Sequence, residues 1–372
     1  MQKIINCNNC LTPNTRPRIK FKNNLICNAC EYQKFKQSID WNKRKRELRD
    51  MCDKYRSNNG NYDCIVPWSG GKDSSSVAYK LKFEFNMNPL LVTFSPLIPS
   101  EVGIKNRQNF SNIGFDNFYF QPNEKVSKIL SKRFFLERGN PKVHWEAGIN
   151  SLPIRIACEK NIKLVFYAEH GESEYGGRVL NKDSDKIRNF EEVIENQIGD
   201  DPKNWESDNV TRKDLLAYIY PDLDLIKEKK IQALYFSYYN KWDIFENYKY
   251  MKKKINFIEN DERISGTFQN YDSLDDIIDP LYYYMQYIKF GFGRALRDAS
   301  RLIRNGHLNR KEGLKYINMY DGEFPDKKFH EVLTYLDLKT EEFHEIVDKH
   351  RNDEIWEKTG NTYKLKINIK YS

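Results

Sequence analysis

An α/β protein built on a parallel sheet is what this sequence predicts, with a small metal knuckle ahead of it and a helical region after it. Three observations carry that reading. Short apolar runs alternate with longer helical stretches from Tyr62 onward, a rhythm that covers both faces of a parallel sheet with helices. A glycine-rich loop stands between the first such run and the helix that follows it. Two Cys-x-x-Cys pairs precede both.

The 372 residues are 39% hydrophobic and 14% aromatic, enough to pack a core and far from a disordered composition. Apolar runs are short, as in Leu90-Leu91-Val92, so no membrane span is expected. The start of the chain, Met1 to Cys7, carries no apolar signal region, and a cytoplasmic protein is the expectation. The net charge of +8 suits anionic metabolites or nucleic acid, but acidic residues are interspersed along most of the chain. Arg44-Lys45-Arg46 and Lys252-Lys253-Lys254 are short clusters and read as solvated helix faces rather than an RNA footprint.

Residues 1–56 are expected to form the knuckle and a basic helix. Cys7, Cys10, Cys27 and Cys30 make two pairs with sixteen residues between them, the spacing of a tetrahedral thiolate zinc site in a reducing compartment. Four thiolates close the coordination sphere, so the zinc is structural, or the knuckle serves as a docking surface. A polar helix is expected from about Tyr32 to Tyr55, ended by Ser57-Asn58-Asn59-Gly60-Asn61.

Residues 57–245 carry the sheet. Strands are expected at 63–68, Pro89 to Phe94, Phe118 to Phe120, Lys163 to Ala168 and Ala233 to Ser237. Helices are expected from Asp73 to about Phe85 and near 102–112, 124–137 and 144–160. Residues 246–372 turn helical. Leu281 to Arg304 is a long helical stretch interrupted at Gly291 and Gly293, and Tyr363, Leu365, Ile367, Ile369 and Tyr371 alternate as a terminal edge strand.

The chemistry concentrates at Ser69-Gly70-Gly71-Lys72-Asp73-Ser74-Ser75-Ser76, directly after a buried strand and at the start of a helix. Glycines let backbone approach a phosphate, and free amides at a helix start point at the anion. Ser69, Ser74 and Ser75 add hydroxyls, and Lys72 could offset charge on a departing pyrophosphate. A Walker loop is excluded, because Val66 fills its first glycine position and Asp73 follows the lysine. An aspartate beside a phosphate implies an intervening cation, Mg2+.

Ser69-Gly70-Gly71-Lys72-Asp73-Ser74 resembles the SGGxDS signature of PP-loop ATP pyrophosphatases, whose domain is adenine nucleotide alpha-hydrolase-like. Those enzymes cleave ATP between its α- and β-phosphates and adenylate a substrate. The resemblance implies that Ser69, Gly70, Gly71, Asp73 and Ser74 hold pyrophosphate and magnesium, and that Thr93, at the end of the second strand, lies near the adenosine.

Two branches of that superfamily place a knuckle ahead of the loop, one thiolating tRNA and one converting an N-acetyl group of a bacterial surface sugar to an acetamidino group. The thiolation branch generally uses further cysteines in the catalytic domain, where this chain offers only Cys158 after the loop strand. The second branch, the N-acetyl sugar amidotransferases, is similar over nearly the whole chain. Its N-terminal signature resembles Cys7-x2-Cys10-x2-Pro13-Asn14-Thr15-Arg16-Pro17, and its acidic loop resembles Glu169-His170-Gly171-Glu172-Ser173-Glu174-Tyr175-Gly176-Gly177. Tyr271 to Asp276, Lys289 to Arg294, and Arg304-x-Gly306-x-x-x-Arg310 resemble later blocks.

The acidic loop follows a parallel strand, where α/β sheets bind ligands. Glu169, Glu172 and Glu174 are candidates to ligate magnesium or take a proton from ammonia, with Tyr175 beside them. Lys289 and Arg294 could neutralise pyrophosphate or a sugar carboxylate. Of Tyr282, Tyr283, Tyr284, Tyr287 and Phe290, most are expected in the core and some to meet the sugar or a partner, because they cannot all face one core. The reaction expected is AMP transfer to the amide oxygen, followed by displacement with ammonia.

A glutaminase needs an activated cysteine. Residue 2 is Gln2, and Cys52, Cys64 and Cys158 sit on no nucleophile elbow. The resemblance implies a separate glutaminase with a cyclase-like subunit, similar to the two subunits of imidazole-glycerol-phosphate synthase. Two rivals stay open: a tRNA-modifying enzyme of the thiolation kind, and a knuckle-bearing binding protein whose loop has lost its chemistry.

Overall fold

A computed structural model describes residues 4–179, 185–360 and 362–366. Five strands form one parallel sheet: β1 (Cys64–Pro67), β2 (Pro89–Phe94), β3 (Asn117–Phe120), β4 (Leu164–Tyr167) and β5 (Gln232–Tyr235). Their order is β3-β2-β1-β4-β5. Ile65 pairs with Leu90 and with Val165, so β1 lies at the centre. The chain winds outward from β1 through β2 to β3, then returns to lay β4 on the other side. The carboxyl ends of β1 and β4 therefore flank the point where winding reverses, the place where open parallel sheets leave a crevice.

Burial explains the strand sequences. All six residues of β2 and all four of β4 are buried, as expected for strands covered on both faces. Alternation sorts them between two cores. Cys64, Val66, Leu164 and Phe166 face the helices Lys72–Phe83, Trp41–Tyr55 and Ile244–Ile255. Ile65, Val165 and Tyr167 face Glu124–Arg138 and Val143–Lys160. A third apolar cluster joins Asp279–Phe290, Phe329–Leu336 and Thr340–Lys349 to Leu97 and Phe135.

One expectation needs correction. The single helix expected over Tyr32 to Tyr55 is two, Asn28–Lys36 and Trp41–Tyr55. Asp40 breaks the run, its carboxylate accepting from the Lys43 amide as an N-cap. The terminal strand, β7 (Thr362–Leu365), pairs antiparallel with β6 (Trp356–Thr359) in a separate hairpin, where it is an edge strand as expected. Ile367, Ile369 and Tyr371 lie outside the described residues. No helix among the described residues is long and apolar enough to cross a membrane.

Candidate active site and metal centre

The four knuckle cysteines are buried, with sulfurs all within 4.8 Å of one another. Cys7 and Cys30 sulfurs are 3.7 Å apart and those of Cys10 and Cys27 3.5 Å. A tetrahedral Zn–S shell with bonds near 2.3 Å puts sulfurs about 3.8 Å apart, whereas a disulfide needs about 2.05 Å. The group could hold a metal such as zinc. N–H donors surround it, from Asn9 to Cys30 (3.3 Å), Arg304 to Cys10 (3.4 Å) and the Cys27 amide to Cys7 (3.4 Å), the outer shell that thiolate sites require.

At the end of β1 the chain turns through Ser69-Gly70-Gly71 into the helix Lys72–Phe83. Gly70 has φ +94°, and a Cβ there would lie 2.6 Å from Arg107 Cγ, so only glycine fits. The first-turn amides of a helix have no carbonyl partner within it. Here they border a cavity of about 230 Å³ lined by Ser69 to Ser74, Asn106, Ala168, Tyr271, Asp272 and Asp275.

Lys72 is buried and its ammonium lies 2.8 Å from Asp73 while also bonding Asp272. Burial alone would lower its pKa, but Asp272 and Asp73 outweigh it and hold the lysine charged. Burial would likewise raise Asp272, yet Lys72, Arg297, Arg294 and Arg301 keep it strongly ionised. Among the described residues Asp272 Oδ2 accepts no hydrogen bond, with Arg297 and Arg301 at 3.7 and 3.9 Å. Asp73 accepts from Asn247 at 2.9 Å. Two carboxylates facing a turn of free amides suit a divalent cation beside phosphate.

From β4 the acidic loop reaches the same crevice. Glu169 accepts from the Tyr175 hydroxyl at 2.8 Å. Burial and then the nearby Asp73 raise its pKa to about 7. Glu169 also lines a second cavity of about 730 Å³, where Arg16, Arg18, Glu146, Lys289 and Arg297 converge with Tyr282. Asp73 lines the smaller hollow and Glu169 the larger, and the charge of Asp73 is felt at Glu169. Burial raises Glu146 to about 7 as well.

Of the other expected site residues, several are committed elsewhere. Ser75 is fully buried and accepts the Trp68 indole N–H at 2.8 Å. Thr93 is fully buried and bonds Asn117 across the sheet at 3.0 Å. Arg294, also buried, sits 3.5 Å from Asp298 and donates to the Asp272 carbonyl. Glu172 takes Arg18 at 2.8 Å and the Arg178 amide at 2.6 Å. Glu174 is locked to Lys36. Lys289 does line the larger cavity and donates to the Arg138 carbonyl at 2.8 Å. Tyr284 and Tyr287 pack on Phe324 and Trp356, leaving Tyr282 of that aromatic run, with Phe290, at the cavity.

Arg16, Arg18, Glu146, Arg297 and Arg301 went unassigned in the sequence. For two of them a signal existed: Arg294, Arg297, Arg301 and Arg304 repeat at helical spacing along Arg294–Asn305. Arg301 stacks over the Tyr175 ring at 3.9 Å, so that member of the stripe faces the acidic loop.

Residues 265–370 match a family model described as LPS biosynthesis protein WbpG-like, C-terminal domain. That match is confined to the C-terminal part of the chain and is a likeness to a domain of surface-sugar biosynthesis. An uncharacterized protein of Methanocaldococcus jannaschii is 31% identical over 104 residues, 28% of this chain. The chain covers 37% of the length of that relative.

Proposed function

We propose that this chain is an ATP pyrophosphatase of the PP-loop kind, acting as an N-acetyl sugar amidotransferase in surface-glycan synthesis. The observation that carries the proposal is the Ser69–Ser74 turn at the sheet's switch point, with Asp73 and Asp272 beside it and a larger cationic cavity whose Glu169 feels the charge of Asp73. In this reading residues 57–245 bind nucleotide, and 1–56 and 246–372 complete the acceptor side.

The smaller cavity takes the β- and γ-phosphates, held by the loop amides and by Ser69 and Ser74. Bound Mg2+ would screen phosphate charge, and Asp73 and Asp272 are the residues that would hold it. Lys72 bonds both carboxylates and fixes them in place. The acetamido group enters from the larger cavity, between Tyr282 and Glu169. Its carbonyl oxygen attacks the α-phosphorus, the α–β bridge breaks, and pyrophosphate leaves an O-adenylyl imidate that keeps the amide proton on nitrogen as its cation. Ammonia then adds to the imidate carbon and the C–O bond to AMP breaks. Glu169 takes the proton that the attacking nitrogen sheds, and the product is an acetamidino sugar.

Ammonia is proposed to come from a separate glutaminase with a cyclase-like subunit. Burial raises the Cys52 thiol to about 12 and also raises Cys64 and Cys158. Thiols held protonated are poor nucleophiles, which weighs against an internal glutaminase and against thiolation of RNA. The test is to incubate the chain with ATP, Mg2+, ammonium and a panel of acetamido sugars. AMP formation with a product in which NH replaces oxygen supports the proposal, and AMP formation stimulated by tRNA instead would overturn it.

A further inference from the structure

We propose that the knuckle is a wall of the acceptor site, with Arg16 reading an anionic group of the acceptor and the metal holding it in register. The inference rests on the larger cavity being the acceptor site. Arg16, Pro17 and Arg18 line that cavity directly. They belong to the loop between Cys10 and Cys27, whose sulfurs meet at 3.5 Å. A bound metal would clamp both ends of this loop, and its loss would free them.

Both sides of the crevice are fastened to the same loop. Thr15 donates to the Phe290 carbonyl at 2.6 Å, Arg16 to the Gly176 carbonyl at 3.4 Å, and Arg18 to Glu172 at 2.8 Å. Behind them, Ser300 donates to the Cys10 carbonyl at 2.6 Å and Arg310 to the Cys7 carbonyl at 2.9 Å. The metal ligands therefore sit between the helix that carries Arg297 and the loop that carries Glu169. A knuckle that served only for remote docking would not supply cavity side chains.

Charge says what the wall reads. Arg18 is already paired with Glu172, and of the remaining charges Arg16, Lys289 and Arg297 line the hollow against Glu146 and Glu169. Both carboxylates titrate near 7, so their countercharge is incomplete at neutral pH. Burial, then Arg301, Arg304 and Arg297, lower Arg16 to about 10. An oxyanion on the acceptor, carboxylate or phosphate, would relieve that mutual repulsion, and arginine forks suit such groups.

The experiment compares binding of N-acetylglucosamine and its matched uronate, N-acetylglucosaminuronate, to the full-length zinc-loaded chain, with and without a non-hydrolysable ATP analogue. We expect the uronate to bind about tenfold more tightly, Arg16→Gln to reduce that preference to about twofold, and Arg16→Lys to retain part of it. Chelation of the metal should lower uronate affinity while leaving analogue affinity unchanged. A uronate that binds no better than the neutral sugar overturns the inference, as does a preference that survives both Arg16→Gln and metal removal. Failure of the analogue to bind strikes the phosphate-loop reading instead, and the sugar preference is still read without it.

Discussion

Lys36 Nζ lies 2.7 Å from Glu174 Oε2, and both side chains are nearly inaccessible to solvent. The lysine ends the helix that carries Cys30 and the glutamate sits in the acidic loop, so this pair ties knuckle to crevice. Lys36 also donates to the Trp242 carbonyl at 3.2 Å. Removing one partner strands a buried charge, which costs about 3–5 kcal/mol, whereas replacing both is near neutral. Lys36→Met should therefore lose that much in chemical denaturation, and Lys36→Met with Glu174→Leu should recover most of it.

Asp73 and Asp272 share Lys72. Asp73→Asn and Asp272→Asn should each lower AMP formation about 100-fold or more, the scale of losing one preorganised electrostatic contact in a reacting site. Circular dichroism and thermal melting would verify that the fold survives. An activity within about threefold of the parent in both variants would remove these carboxylates from the phosphate site.

Glu169 titrates at about 7 against an ordinary 4.5. As a base it works only when ionised, so turnover at fixed free ammonia should rise with pH through about 7. Glu169→Gln should flatten that limb. The sign for stability is opposite: a raised carboxyl binds its proton more tightly in the folded chain, so stability falls as pH climbs from 4.5 to 7. Glu169→Gln should escape that fall and gain on the parent above pH 7.

Gly70 combines φ +94° with the close approach of Arg107. Gly70→Ala should cost about 1–2 kcal/mol of backbone strain and weaken ATP binding. Arg107→Ala added to it removes the clash but not the positive φ, so only partial recovery is expected in a nucleotide titration.

One zinc per chain is expected by elemental analysis, since Cys7, Cys10, Cys27 and Cys30 form a single four-sulfur group. Cys27→Ser should lower the bound metal and open its neighbours to alkylation. Cys52, Cys64 and Cys158, buried away from the knuckle, should stay unreactive.

What the sequence made legible was local. The Ser69–Ser74 turn could be found because glycine and helix-start preferences act over a few residues, and the β2 and β4 runs because complete burial leaves an unbroken apolar string. Side-chain direction was not legible. Ser75 and Thr93 sit beside a phosphate cavity in sequence, but packing turns them to Trp68 and Asn117. Arg294 and Arg297 share one helix and differ in role because one faces the interior and the other the larger cavity. Arg16 reaches that cavity only because the knuckle folds back onto a helix some 275 residues later, at Thr15 and Phe290. Such placements depend on tertiary contacts between distant segments.

The most direct measurement follows the nucleotide. Purified chain is mixed with ATP labelled at the α-phosphate, Mg2+, ammonium and acetamido sugars, and the labelled product is resolved. Label recovered as AMP, with pyrophosphate released in equal amount and only when an acceptor is present, is the predicted result. Label recovered as ADP would contradict the account.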